Sequence, residues 1–165
     1  IGISIKLLYS DLKFDDSYFD AYWSLGVIEH FWDGYEDIAV KMSRVLKSGG
    51  KLFLTFPAMS PLRRFKQFAN LYERSNFNQK PPGFYQFALD SDVVINFFKQ
   101  RGFSLCKKKY MSGFKGIKDE VPIMASSFSR ILRSHSLLSK IFIKAVEFLM
   151  SRFTGHVCYL ILEKK

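Results

Sequence analysis

Phe19-Asp20-Ala21-Tyr22-Trp23-Ser24-Leu25-Gly26-Val27-Ile28-Glu29-His30-Phe31 and, after one intervening stretch, Arg44-Val45-Leu46-Lys47-Ser48-Gly49-Gly50-Lys51-Leu52-Phe53-Leu54-Thr55-Phe56-Pro57 decide the fold class of this chain. Phe19 to Leu25 is an apolar run carrying one acid, the pattern of a strand buried on both faces of a parallel sheet. Tyr35 to Lys47 is helical. Ile38, Met42, Val45 and Leu46 recur three or four residues apart and build one apolar face. Gly49-Gly50 reads as the stop of that helix, because glycine tolerates a left-handed cap. Lys51 to Phe56 is a second strand, ended by Pro57, which has no N–H for the ladder. Strand, helix, strand at these lengths is a βαβ unit, and it predicts an α/β fold with parallel strands and a right-handed crossover.

The same reading extends in both directions. Ile1 to Leu8 is a β-rich apolar strand leading into Ser10-Asp11-Leu12, and Asp15-Asp16-Ser17 is a turn. Pro61 to Glu73 is a helix with Leu62, Phe65, Phe68, Ala69 and Tyr72 on one face. Residues 76–83, with Pro81-Pro82, form a loop. Asp90 or Ser91 can cap a helix over Val93 to Gln100, since a side-chain oxygen there accepts from the free backbone N–H groups. Phe103 to Tyr110 is a strand and Gly113 to Pro122 a loop. Ser126 to Phe153 is a long helical region with a break near Ser134-His135-Ser136, and His156 to Leu162 is a last strand.

Composition bounds the answer. A chain of 165 residues can bury a core and fits one domain, residues 1–165. The eighteen Phe residues point first to a phenylalanine-rich core. No apolar run reaches the ~18–20 residues needed to span a bilayer. Residues 1–10 lack a basic leader and a small-residue cleavage site, so a cytoplasmic protein is expected. Cys106 and Cys158 have no zinc-ligand spacing with the histidines, so no metal site is expected, and both read as buried reduced thiols. Charge is uneven: residues 1–100 hold 12 Lys/Arg and 11 Asp/Glu, whereas residues 101–165 hold 13 and 4. A basic carboxyl-terminal third favours an anionic partner or solvates a helix face, and both readings stand.

The framing residues Phe19-Asp20, Ser24, Gly26-Val27-Ile28-Glu29-His30-Phe31, Arg44-Val45-Leu46-Lys47, Gly49-Gly50 and Pro57 resemble the second half of a class I S-adenosylmethionine-dependent methyltransferase of the ubiquinone- and menaquinone-biosynthesis-like type. The resemblance implies a partial Rossmann-like fold with sheet order 3-2-1-4-5-7-6 and an antiparallel last strand. Ile1–Leu8, Phe19–Leu25, Lys51–Phe56, Phe103–Tyr110 and His156–Leu162 then stand as strands three to seven. Residues 126–153 become a helical insertion or lid. The glycine-rich cofactor loop and the ribose-binding acid of that family have no counterpart here. With Ile at position 1 in place of Met, a cut in a longer protein is expected.

For chemistry, the resemblance implies S-adenosylmethionine as cofactor. Asp11 and Leu12 would meet its adenine, and Ser24, Leu25 and Gly26 its methionine moiety beyond the carboxyl ends of the strands. A carboxylate suits an exocyclic amine because it only accepts. The bland alternatives are a turn Asp at 11 and a turn Gly at 26. His30 is the candidate general base for O-methylation of a small-molecule or glycan and lipid-linked acceptor, with Glu29 orienting it. A structural or helix-starting role for His30, and metal binding by Glu29, are the alternatives. The basic amphipathic helices over 126–153 are either a lid packed on the sheet or a surface for an anionic membrane, at its inner face. Nucleic acid has no recognised motif to support it.

Overall fold

The computed structural model describes residues 14–72, 79–134 and 136–165. The predicted strand Ile1 to Leu8, Asp11, Leu12, Glu73, residues 76–78 of the predicted loop, and His135 lie outside the described residues. Four strands form one sheet: β1 (Phe19–Leu25), β2 (Leu46–Pro57), β3 (Phe103–Met111) and β4 (Val157–Lys164). Their order is β1-β2-β4-β3. β1 pairs with β2 in parallel, and β4 runs antiparallel to both β2 and β3. This is the 4-5-7-6 portion of the expected order, with the expected reversed last strand.

The register explains the burial. Leu52 faces Leu162, Leu54 faces Leu160 and Phe56 faces Cys158 across β2 and β4. All six side chains are essentially sealed from solvent, because alternate residues of a strand point to one face. Helices α1 (Glu36–Val45) and α3 (Ser91–Lys99) cover that face. They supply Ile38, Ala39 and Met42, and Val94, Ile95 and Phe98, to the same core. Asp90 caps α3 by accepting from the Asp92 N–H at 2.8 Å, as expected for one of the two candidate caps.

The opposite face is only partly covered. Trp23 and Leu25 are exposed, although Trp23 stacks on Phe53 with ring centroids 4.2 Å apart. The Phe19–Leu25 run therefore does not have both faces buried among the described residues: Tyr22 and Ser24 share the core side with Leu52 and Leu54, and Ala21, Trp23 and Leu25 point to the other side.

Three local expectations are corrected. The α1 helix ends at Val45, not at the glycine pair, and Leu46 already pairs with Phe19. Ala21 next pairs with Lys51, so residues 47–50 bulge out of the ladder. Lys47 in that bulge reaches back to Asp20 at 2.8 Å. Gly113 to Pro122 is not a loop but a helix, α4 (Gly113–Glu120), running into α5 (Pro122–Arg133). Its short apolar content hid it, and a tertiary contact makes it helical. Cys106 is exposed on β3, whereas Cys158 is buried as expected, and burial pushes its thiol up to about 12.

The helical region 126–153 divides at the predicted break into α5 and α6 (Leu137–Thr154). The helix expected over Pro61 to Glu73 is shorter: α2 is Pro61–Phe68, capped by Ser60, and it stops in a turn at Ala69 and Asn70, the latter with φ +53°. α4 lies on α6, and α2 touches it. The approach is close because Gly116 has no side chain: a Cβ there would sit 1.6 Å from the Thr154 carbonyl oxygen. The Thr154 hydroxyl in turn donates to the Gly113 carbonyl at 2.9 Å. Gly116→Ala must therefore push α4 off α6. A loss of about 1–3 kcal/mol in urea unfolding is expected; unchanged stability would mean that the two helices do not meet as described.

Candidate functional site

The carboxyl ends of β1, β2 and β3 and the amino end of β4 share one edge of the sheet, and two groups of chemistry-bearing residues sit there. The first follows β1. Gly26 turns the chain out of the strand with φ +69°, a conformation that disfavours a side chain, and its N–H donates to Thr55 O at 2.9 Å. A single 3₁₀ turn, Ile28–His30, comes next and buries Ile28 beneath it. Glu29 is buried with it, at 2% exposure. Its backbone carbonyl accepts from the Phe87 N–H at 2.9 Å, which ties the 84–89 segment against the turn.

His30 is half-buried, and its Nδ1 lies 2.6 Å from the Tyr85 carbonyl oxygen. A carbonyl oxygen can only accept, so Nδ1 carries a proton and Nε2 holds the lone pair of the neutral ring. That free nitrogen is 4.0 Å from Glu29 Oε1. The Tyr85 ring packs edge-on to the imidazole at 4.8 Å. Trp32, Phe84 and Phe87 form an aromatic cluster alongside, with Trp32 stacked on Phe87 at 5.3 Å. The 84–87 aromatics went unnoticed in the sequence. Three aromatics in four residues directly after Pro-Pro-Gly were the available signal.

Two buried atoms here have no hydrogen-bond partner among the described residues: Ser24 Oγ and Glu29 Oε2. Ser24, like Glu29, is only 2% exposed. An unpaired buried polar atom costs free energy, so these two mark a place where a ligand's donors would be compensated. Burial pushes the Glu29 carboxyl upward, opposed by backbone hydrogen bonds and the nearby His30. The structure thus brings Ser24, Leu25, Gly26, Glu29 and His30 to one end of β1, while Asp11 and Leu12 are outside the described residues. Among the described residues, no group of three His, Cys, Asp or Glu side chains converges as a metal site would.

The second group joins residues far apart in sequence. Arg63, near the start of α2, is buried and spends its guanidinium on Glu120 Oε1 at 2.7 Å, Ala58 O at 2.9 Å and His156 Nδ1 at 3.0 Å. The ring of His156 is flanked by two donor-only cations, Arg63 at Nδ1 and Lys115 Nζ 3.0 Å from Nε2, and a neutral imidazole can accept from one of them at a time. Burial, Lys115 and Arg63 together hold the His156 pKa below the usual value. Glu120 also accepts from Lys66 Nζ at 2.8 Å and from the Tyr72 hydroxyl. Burial alone would raise the Glu120 carboxyl, but the hydrogen bonds from Lys66, Tyr72 and Arg63 outweigh it and bring it down to about 2. His156 read as a plain strand position. No local spacing could have found this cluster, since its members sit on α2, α4 and the start of β4.

A carboxyl depressed in the folded state stabilises the fold above its unfolded value and loses that contribution as pH falls through the folded one. For Glu120 the window runs from about pH 4.5 down to about 2. Urea unfolding across that window should show a loss that Glu120→Gln flattens, and the variant should be less stable at pH 7 by about 2–3 kcal/mol. Equal pH slopes for the two chains would show that the carboxylate is not engaged.

Residues 4–54 match the family model of a methyltransferase domain. No curated protein matches the sequence. Among solved structures, the chain is similar to a SAM-dependent methyltransferase from Methanosarcina mazei, at 12% identity and a TM-score of 0.58, over 96% of this chain and 65% of that one. It is similar to a SAM-dependent methyltransferase from Archaeoglobus fulgidus at 11% identity and a TM-score of 0.51, over 90% of this chain and 61% of that one. It is also similar to the 4+2 cyclase SpnF at 15% identity and a TM-score of 0.51, over 96% of this chain and 55% of that one. At these identities the likeness is one of fold, and a cyclase beside methyltransferases illustrates that a fold does not name a reaction. The chain spans between 55% and 65% of the length of these three proteins.

Proposed function

We propose that this chain, whose matched segment and fold are those of the class I S-adenosylmethionine-dependent methyltransferases, is the carboxyl-terminal part of such a domain and carries its acceptor-facing chemistry. The reaction is methyl transfer to a small-molecule or glycan and lipid-linked acceptor at a hydroxyl oxygen. The observation that carries this reading is the locked tautomer of His30: Nδ1–H is committed to the Tyr85 carbonyl, which leaves a basic Nε2 at the carboxyl edge of the sheet.

S-adenosylmethionine is the cofactor that the family match and fold imply, and the residues after β1 fit it. The orphaned Ser24 Oγ and Glu29 Oε2 lie where donors on its methionine portion would compensate them, and Gly26 leaves backbone within reach. Asp11 and Leu12 are assigned to the adenine on the resemblance alone. When bound, the cofactor supplies a methyl carbon made electrophilic by the adjacent sulfonium. His30 takes the acceptor hydroxyl proton on Nε2 as the oxygen attacks, so that the nucleophile does not carry a proton into the transition state. The Glu29 carboxylate, 4.0 Å from that nitrogen, stabilises the imidazolium that forms. The Trp32, Phe84 and Phe87 cluster makes the adjoining wall apolar, which limits water beside the base.

Calorimetric titration with S-adenosylhomocysteine tests the first part, using this chain and one extended upstream. Binding by the extended chain alone is the expected outcome, and binding by neither would remove the methyltransferase reading. For the base, His30→Gln in the extended chain should lower kcat by about 10²–10⁴-fold while leaving S-adenosylhomocysteine affinity unchanged. A variant with undiminished kcat would reassign His30 to a structural role.

A further inference from the structure

The α5–α6 helices were open to two readings, a lid closed on the sheet or a docking surface, and their burial separates the two. The inward side of α6 holds Ile143, Val146 and Met150, all half-buried, together with Glu147, whose carboxylate accepts from the Phe114 N–H at 3.3 Å. The outward side is apolar and bare. Leu137, Leu138, Phe148 and Leu149 are 72%, 78%, 85% and 71% exposed, and Ile141 lies between them. Spacings of four, seven and eleven residues put these side chains on one side of an 18-residue helix. Lys144 lies on the same stripe, one turn from both Ile141 and Phe148, and exposed apolar side chains grouped on one helix face mark an interaction site.

The charges around it choose the occupant. Lys140, Lys144 and Arg152 are exposed on the same helix, and Arg130 and Arg133 on α5. The one acid of α5 and α6, Glu147, is turned inward to the α4 backbone. The face therefore presents leucine, isoleucine and phenylalanine side chains interspersed with cations, and α5 and α6 carry no outward anion. A second copy of the same face would bring like charges together, whereas an anionic bilayer would pair the cations with lipid phosphates and receive the apolar side chains at its interface. Long Lys and Arg stems can lie along apolar surface and keep their charge at headgroup level. No helix among the described residues is long and apolar enough to cross a membrane, so the helix would lie on the surface.

We infer that the outward face of α6 is a membrane-docking surface that seats this protein on anionic phospholipid. The inference is independent of the methyl-transfer reading, since it uses no residue of the candidate site.

Co-sedimentation with phosphatidylcholine vesicles containing 30% phosphatidylglycerol, beside pure phosphatidylcholine vesicles, tests it. The intact chain should pellet with the anionic vesicles and be weakened by 1 M salt. Lys140→Glu with Lys144→Glu should lower vesicle affinity by roughly tenfold or more, since each basic residue near such a surface contributes substantially. Phe148→Ser with Leu149→Ser should lower it independently of salt. These side chains are exposed, so circular dichroism and the unfolding midpoint of both variants should match the parent. Absence of binding to anionic vesicles would overturn the proposal. So would binding that neither variant reduces, or a concentration-dependent dimer in sedimentation that Phe148→Ser abolishes while vesicle binding is absent.

Discussion

The insertion of β4 between β2 and β3 is the pairing on which the rest of the molecule depends. It joins residues 51–57 to residues 157–163, and the buried ladder of Leu52, Leu54 and Phe56 against Leu162, Leu160 and Cys158 is the centre of the core. Closing so long a loop is entropically unfavourable, so it must be repaid by apolar burial and by a complete backbone ladder. Lys164 adds to it by donating to the Ser43 and Leu46 carbonyls at the end of α1, at 2.8 and 2.7 Å. Without this pairing β3 would have no neighbour, and α1 and α3 would have no common face to cover.

The same pairing builds the functional edge. Because β4 enters the sheet beside the exit of β2, the Ala58 N–H donates to the His156 carbonyl at 2.8 Å, and His156 arrives next to Arg63. Leu89 pairs with the other side of that exit, through Met59 N–H to Leu89 O at 2.9 Å and Leu89 N–H to Pro57 O at 2.8 Å. It thereby delivers the 84–87 aromatics to the Glu29–His30 turn. Two polar groups with opposite character result. Around Arg63 and Glu120 the charges are saturated with partners, the signature of structural support. Around Glu29 and Ser24 two buried side-chain atoms have no partner among the described residues, as in a site that receives a ligand's polar groups.

Much of the fold was legible, and the residues show why. Strand β1, helix α1 and strand β2 have strong periodicity, Asp90 is a good cap, and the Ser134–Ser136 break falls where polar residues interrupt an apolar repeat. What failed failed for tertiary reasons. Residues 47–50 look like a helix stop but form a bulge, because Leu46 is drawn into the sheet by Phe19. α4 has little apolar repeat of its own and is held by close packing of Gly116 on α6. Cys106 alternates with apolar neighbours as a buried thiol would, yet a bulge between Leu105 and Lys107 takes it out of register with β4, and it is exposed.

By itself, the sequence determined the α/β class, the βαβ unit and the position of Glu29-His30 just beyond a strand. Each of these is written in short-range patterns: alternation, helical spacing and turn residues within a dozen positions of one another. Only the tertiary structure decided the tautomer of His30, the inward turn of Glu147, the Arg63–Glu120–His156 cluster and the bare outward face of α6. Those depend on which side of an element meets which neighbour. That is set by packing between segments tens to a hundred residues apart, a distance over which local periodicity carries no information.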